Sequence, residues 1–426
     1  MDAHRPPGAP LRVALFGLGG VGSAVAARLI DPAWQAGVAA RGVLPPELVA
    51  LGVRDPERPR GITLPDSVRR TDDLTALATD PGVDVIIELL GGTEVAGAVI
   101  RAAMAAGKQV VTANKMLLAK LGPSLELAAR AAGIALRFEA AVGGGIPVLS
   151  PLVLDLAANH ISAVRGIVNG TTNHVLTAMA QDGRAYQDVL AEAQARGYAE
   201  ADPASDVEGH DAADKLAILT RLSFGGWPDV EALRRSAPTT SGDAPPGITG
   251  VRPVELARAA DLGLAIKLVA RAERRRDGAV WAAVTPVAVR AGSPLGSTWG
   301  VTNLVEVIAE PVGRVAFRGP GAGGPATSSA VLADVLAIAR GEGSTWEPLP
   351  PAAEAPAMVD DLEVERGWFF VADRLPGGQL PARLADLALA RSEEAVVTRP
   401  MSLAALRYAL IEAGVEATLY PVISEA

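Results

Sequence analysis

Leu11-Arg12-Val13-Ala14-Leu15-Phe16 leads into Gly17-Leu18-Gly19-Gly20-Val21-Gly22, and an Ala-rich run from Ser23 to Ile30 follows. The first six residues form a short apolar run fit for a buried parallel strand. The last run has helical character. Strand, glycine turn and helix in this order give the G-x-G-x-x-G pattern its meaning. Its glycines allow a tight turn, close approach to a pyrophosphate and close helix–strand packing. The helix N-terminus would face the phosphates with its positive dipole end. A tight turn without a ligand is the alternative. The candidate cofactor-binding residues here are Gly17, Leu18, Gly19, Gly20, Val21 and Gly22.

Working outward, strand-like runs at Ala50–Val53, Asp84–Leu90, Gln109–Thr112 and Ile134–Glu139 alternate with helical runs at Thr93–Ala106 and Pro123–Ala132. This alternation indicates an α/β class with a doubly wound parallel sheet. Beyond Ala140 the texture changes. Ala141–Pro147 reads as a flexible turn. Strand-like stretches follow at Ala163–Val168, Ile266–Ala272, Val280–Val289, Leu304–Ile308 and Arg314–Phe317. Helices are expected near Thr172–Ala180, Tyr186–Arg196, Ala212–Leu222 and Val254–Asp261, which suits an α+β domain. A Gly/Pro turn, Arg318–Pro325, precedes a helix at Ser328–Arg340. Gly341–Pro356 reads as a linker, and the rest as a small α/β unit or tail.

Composition bounds the function. The chain has 426 residues, room for two or three domains at roughly 100–200 residues each. Apolar residues make up 49%, enough for a sizeable core, and aromatics only 4%, so the core must be mainly aliphatic. Cysteine is absent, which excludes a disulfide scaffold and a Cys-based metal site. A thiol-free chain fits a reducing, cytoplasmic setting. The net charge of −9 argues against a nucleic-acid partner. The N-terminal stretch Met1–Pro10 lacks the apolar core of a signal peptide. The longest uncharged run, Gly166–Gln181, is too short to span a membrane.

Of the 39 basic residues only five are lysine: Lys108, Lys115, Lys120, Lys215 and Lys267. GC-rich coding explains the bias; a surviving lysine is then either a chance survivor or, where it also falls in a chemical motif, a place where a titratable amine serves and a guanidinium does not. Two lysines fall in chemical contexts. Thr112-Ala113-Asn114-Lys115 closes a strand at the sheet edge where ligands bind. Asp211 and Lys215 stand four apart in an acidic segment running into an amphipathic helix, so they share one face. A carboxylate beside an amine positions it for proton transfer, and an exposed surface pair is the alternative. His210 reads as a loop residue. After the second strand, Arg54 suits a 2′-phosphate and Asp55 a ribose hydroxyl, with NADP placed ahead of NAD.

Together these motifs resemble homoserine dehydrogenase. The likeness is carried by Phe16–Gly22, Glu88–Gly92, Val111–Lys115, Glu139–Pro147, Gly166–Asn173, Gly197–Pro203, Asp206–Leu219 and Gly319–Gly323, in the family's order. It implies an NAD(P)-dependent interconversion of L-homoserine and L-aspartate 4-semialdehyde in threonine, methionine and isoleucine biosynthesis. It implies Lys215 and Lys115 as catalytic lysines and Glu200 and Asp211 as the carboxylates that hold homoserine. Gly197 and Gly321 would touch the cofactor. Glu139, with the carbonyls of Val142, Gly144 and Ile146, would hold a monovalent cation, Na or K.

The implied architecture is a Rossmann-type domain over 1–137, completed by 318–341. A substrate-binding and dimerisation domain follows over 138–317, and a linker and small C-terminal unit over 342–426. Trp368–Arg374 and Leu380–Leu389 resemble an ACT strand and helix, whereas the stretch from Thr398 onward departs from that pattern. A homodimer is expected. A non-catalytic dinucleotide sensor of the same fold is the alternative; an acylating semialdehyde dehydrogenase is excluded by the missing cysteine.

Overall fold

The computed structural model describes residues 9–352, 362, 364–372 and 380–423. Residues 1–8, part of the linker (353–356), and Asp373 and Arg374 of the ACT-like stretch lie outside the described residues. The described residues form two compact units, one within 1–158, 221–227 and 319–354, the other within 159–220, 228–318 and 355–426.

The first unit is built on six strands: β1 (Arg12–Phe16), β2 (Glu47–Gly52), β3 (Arg69–Thr71), β4 (Val85–Glu88), β5 (Gln109–Thr112) and β6 (Leu136–Arg137). They lie in the order β3-β2-β1-β4-β5-β6, and every pair is parallel. The order reverses between β1 and β4, the switch point where such sheets receive ligands. Val13, Ala14, Leu15 and Phe16 have no exposed surface, as a strand covered on both faces requires. Helices Gly20–Leu29 and Gly324–Ala339 pack side by side, so the segment after 318 completes this unit.

Three expectations shift. The helix expected at Pro123–Ala132 begins at Lys115 and carries Pro123 inside it. Proline favours a first turn, which hid the earlier start. The strand expected at Ile134–Glu139 shortens to Leu136–Arg137 and gives way to a 3-10 turn at Glu139–Ala141. The expected linker packs into this unit. Leu136 N–H donates to Ser344 Oγ at 3.0 Å, and Thr345 N–H donates to Leu136 O at 3.2 Å. Trp346 is fully buried, its ring 5.0 Å from that of Phe138.

The second unit holds β7 (His160–Ile167), a ribbon of β8 (Ser236–Pro238) and β9 (Asp243–Pro246), β10 (Leu264–Arg274), β11 (Val280–Arg290), β12 (Thr302–Glu310) and β13 (Gly313–Pro320). The C-terminal strands are β14 (Trp368–Val371), β15 (Ala388–Arg391), β16 (Ala395–Thr398) and β17 (Leu419–Ile423). Nine of these make one sheet, β13-β12-β7-β10-β11-β17-β14-β16-β15.

The sequence reading set the C-terminal residues apart, and the structure joins them to this unit. β17 pairs in parallel with β11, Ala288 opposite Val422 and Val289 opposite Ile423. With helices Ala382–Leu387 and Leu403–Glu412, β14 to β17 complete a β-α-β-β-α-β alternation of the ferredoxin-like type. Its antiparallel pairs are β17–β14, β14–β16 and β16–β15. Pro421 inside β17 and strands of four residues weaken the sequence signal there.

Candidate active site

In the second unit, helix His210–Phe224 presents Asp211 and Lys215 on adjacent turns. Both are buried, at 6% and 8% exposure, so this is not the surface pair that spacing alone allows. Lys215 Nζ donates to Asp211 Oδ2 at 2.6 Å and to the Val168 carbonyl at 2.7 Å. These take two of the ammonium's three N–H bonds.

Asn169, directly after β7 and its following residue Val168, is the N-cap of helix Gly170–Asp182. Its amide donates to Asp211 Oδ2 at 2.8 Å and Asp206 Oδ1 at 2.7 Å. Burial, followed by the charge of Asp211, pushes the Asp206 carboxyl above its ordinary range despite the Asn169 bond. The turn carrying Gly197 and Glu200 is tied to the same helix N-terminus, because Thr171 Oγ1 donates to Tyr198 O at 2.7 Å. Glu200 and Gly197 are exposed on that turn. His210 is half exposed and stands 3.5 Å from Glu208.

In the first unit the glycine turn lies at the switch point. Gly17 has φ +95°, and a Cβ there would stand 2.6 Å from the Leu89 carbonyl oxygen. Only glycine fits such a position without strain. A Cβ at Gly19 or Gly20 would meet nothing within 4 Å. Protein packing therefore leaves open space beside the N-terminus of helix Gly20–Leu29, which suits a ligand's phosphates.

Glu88, at the end of β4, is buried and accepts from Leu90 N–H, Gly91 N–H and Thr112 Oγ1, the last at 2.6 Å. Burial nonetheless raises its pKa. Thr112 Oγ1 in turn accepts from Asn114 N–H at 3.0 Å. Asn114 caps the helix through Leu117 N–H and donates to Gly92 O at 2.7 Å. This chain of bonds fixes the first helical turn, where Lys115 stands, partly exposed. Arg54 is exposed just beyond β2. Asp55 Oδ1 accepts from the N–H groups of Glu57 and Arg58 at 3.1 and 3.0 Å.

The turn after β6 differs from its expected form. Glu139 Oε1 accepts from the N–H groups of Val148 and Leu149, and Oε2 from Ser150 N–H and Oγ, all between 2.7 and 2.8 Å. Four donors occupy the four lone-pair sites of a carboxylate, so this side chain is committed to the N-terminus of helix Leu149–Val153. Among the described residues, the carbonyls of Val142, Gly144 and Ile146 accept no backbone hydrogen bond. Hard oxygens of this kind suit a monovalent cation. Gly144 has φ +58°, and a Cβ there would collide with the carbonyl of Gly321, which packs this turn against the segment that starts helix Gly324–Ala339.

The model of the family described as "Homoserine dehydrogenase, NAD binding domain" matches residues 17–139, and that described as "Homoserine dehydrogenase" matches residues 147–336. A homoserine dehydrogenase of Synechocystis is 42% identical over 331 residues, covering 77% of this chain and 73% of that protein. The chain belongs to the homoserine dehydrogenase family. The enzyme of Corynebacterium glutamicum is 41% identical over 338 residues, covering 78% of this chain and 73% of the relative. The structure of homoserine dehydrogenase from Thiobacillus denitrificans superposes with a TM-score of 0.86 at 30% identity, over 98% of this chain and 99% of that one.

Family membership makes the protein an oxidoreductase acting on a CH–OH group, in amino-acid biosynthesis, with a nicotinamide dinucleotide as cofactor. Nothing here favours a non-catalytic sensor. Among the described residues, no helix is long and apolar enough to cross a membrane. Sequence reasoning singled out Lys115, Lys215, Asp211 and the glycine turn as candidates. It passed over Asn169 and Glu88 as individual residues; a polar side chain directly at a strand's C-terminal end was the available signal.

Proposed function

We propose that the reaction is run by Lys215 and Lys115 on homoserine held by Glu200 and Asp211, beside a cofactor bound at Gly17, Leu18, Gly19, Gly20, Val21, Gly22, Arg54, Gly197 and Gly321. The buried Lys215–Asp211 pair carries this reading. A carboxylate and a main-chain carbonyl fix the amine, and its third position, an N–H in the ammonium and a lone pair in the neutral amine, meets the substrate's terminal oxygen. In the oxidative direction the neutral Lys215 amine takes the hydroxyl proton and becomes the ammonium as the alcohol carbon gives up hydride, leaving the aldehyde. In reverse Lys215 returns the proton to the forming alkoxide. The nicotinamide, when bound, accepts or supplies the hydride. Lys115, set on the first turn of its helix, would serve as the second catalytic lysine by adding positive charge to the developing oxyanion.

NADP is placed ahead of NAD. Asp55 caps its own turn, which leaves the exposed Arg54 guanidinium to meet a 2′-phosphate. A solved structure of a hyperthermophilic archaeal homoserine dehydrogenase in complex with NADPH, 24% identical with a TM-score of 0.61, shares the fold. A monovalent cation, Na or K, would draw on the carbonyls of Val142, Gly144 and Ile146, with Glu139 bracing the turn rather than lending its filled carboxylate. Residues 1–137 with 318–341 serve the dinucleotide, and 138–317 serve the substrate and a homodimer contact. A cytoplasmic location follows from the biosynthetic role.

The test is homoserine oxidation followed at the nicotinamide band with NADP and NAD in parallel. Turnover is expected with both and is faster per cofactor concentration with NADP. Lys215→Ala should lose on the order of 10²–10⁴-fold in kcat while NADPH still binds. Wild-type turnover in that variant would remove Lys215 from the mechanism.

A further inference from the structure

The Asn169 side chain uses every hydrogen-bonding group it has. Its Oδ1 accepts from Thr172 N–H at 2.8 Å and Thr172 Oγ1 at 3.0 Å. Its two N–H bonds go one each to Asp206 and Asp211. The Thr172 bonds fix which way the amide faces, since a flipped amide would turn its oxygen toward two carboxylates. The side chain is buried at 6% exposure. Asp211 Oδ2 receives both this amide and the Lys215 ammonium, so Asn169 sets the orientation of the oxygen that aims the amine.

From this geometry we infer that Asn169 is a positioning residue for proton transfer: it bridges Asp206 and Asp211 and thereby holds the Asp211–Lys215 pair in one arrangement. The inference rests on Lys215 being the proton-transfer group and adds a residue that never touches the substrate. Asparagine is required by arithmetic. Two acceptors are needed for the helix cap and two donors for the carboxylates. Serine keeps a cap acceptor but has one donor. Aspartate keeps both acceptors, has no donor, and puts a third carboxylate beside two others. Without the bridge Asp206 and Asp211 lose the amide that joins them, and Asp211 Oδ2 loses one of the two donors that set its orientation toward Lys215.

The cap and the bridge are separable by experiment. Ser and Asp both cap helices well, so Asn169→Ser and Asn169→Asp should fold, with melting temperatures within a few degrees of wild type. NADPH affinity, read by fluorescence titration, should not change in either. The kcat for homoserine oxidation should fall by about 10–100-fold in Asn169→Ser, as a small misplacement of a catalytic group does, and further in Asn169→Asp. The solvent deuterium isotope effect on kcat should rise in Asn169→Ser, because proton transfer then limits turnover more heavily. A purely structural role would lower active protein without changing the isotope effect.

Wild-type kcat and isotope effect in Asn169→Ser would overturn the inference, as would Asn169→Asp matching or exceeding Asn169→Ser. If Asn169→Ser fails to fold, the same readings on Asn169→Asp decide. A wild-type protein that oxidises no homoserine sinks the functional reading itself and is seen before any variant is made.

Discussion

Asp211→Asn would keep the shape of the central pair and strip its charge, leaving the Lys215 ammonium buried beside a neutral amide. A buried cation without its partner is costly, and the amine loses the anion that orients it. We expect kcat/KM for homoserine to fall by about 100-fold or more, with NADPH binding intact by fluorescence titration; a loss below threefold would refute the role. Lys267 illustrates the limit of reasoning from lysine scarcity. It is as rare as Lys215 and more deeply buried, with 1% exposure. Yet it donates to Thr298 O at 2.8 Å and Asn173 Oδ1 at 3.2 Å and lies 3.8 Å from the Trp299 ring centre. Burial pulls its pKa down from 10.5 to about 7. The folded state then binds fewer protons than the unfolded chain between pH 7 and 10.5, so this group's penalty is full below pH 7 and is relieved as pH rises. Lys267→Met should therefore compare more favourably with wild type at pH 6 than at pH 9 in thermal denaturation; equal differences at both would contradict the burial argument. Spacing revealed Asp211 and Lys215 because they are one turn apart. Asn169 reaches partners 37 and 42 residues away, a distance at which sequence carries no pairing signal.

At the scale of elements, the helix Lys115–Ala132 shows how a site residue is held from afar. Its Glu126 accepts from Arg221 Nε at 2.9 Å, Trp227 Nε1 at 3.0 Å and Arg130 Nε at 3.0 Å. Burial alone would raise the Glu126 carboxyl, but these donors, Arg221 foremost, hold it below its ordinary value of 4.5. The stabilisation is present above pH 4.5 and is lost as pH falls through the lowered value. Glu126→Ala strands the Arg221 guanidinium, which has no exposed side-chain surface. A loss of about 3–5 kcal/mol is expected in denaturant unfolding at pH 7; a loss under 1 kcal/mol would mean the pair is not what anchors the helix. The strands β1, β4 and β5 were legible because their apolar runs are uninterrupted. The start of this helix was not, because Pro123 mimics a beginning. The early end of β6 was hidden too, since only the three-dimensional turn shows Glu139 reaching for Val148, Leu149 and Ser150.

For the whole molecule, the parallel sheet and the alternation behind it were legible from Leu11 onward, whereas the fate of the C-terminal residues was not. Strand partners are chosen by tertiary contact, and nothing in Leu419–Ile423 announces that β11 is its neighbour. The attachment is extensive. Tyr420 Oη donates to the buried Glu255 at 2.7 Å, Thr240 N–H donates to Ala417 O at 3.0 Å, and Arg258 pairs with Glu394 at 2.9 Å. Glu255 has no exposed side-chain surface, so Tyr420→Phe removes one of its donors. A drop of about 1–3 kcal/mol is expected, read as a lower midpoint in urea with the slope unchanged; an unchanged midpoint would show the bond to be idle.

The β17–β11 seam also governs how this protein can be dissected. Cutting the gene ahead of Trp368 would leave β11 with a raw, hydrogen-bond-hungry flank, and such flanks recruit other chains. Shortened clones should thus emerge as clumped or insoluble material, and any altered response to an end-product amino acid measured on them would report damage rather than release from control. Whether the terminal ferredoxin-like unit acts as a sensor is better asked with single surface changes, for instance at the exposed Tyr408 or Leu389, which leave the seam closed.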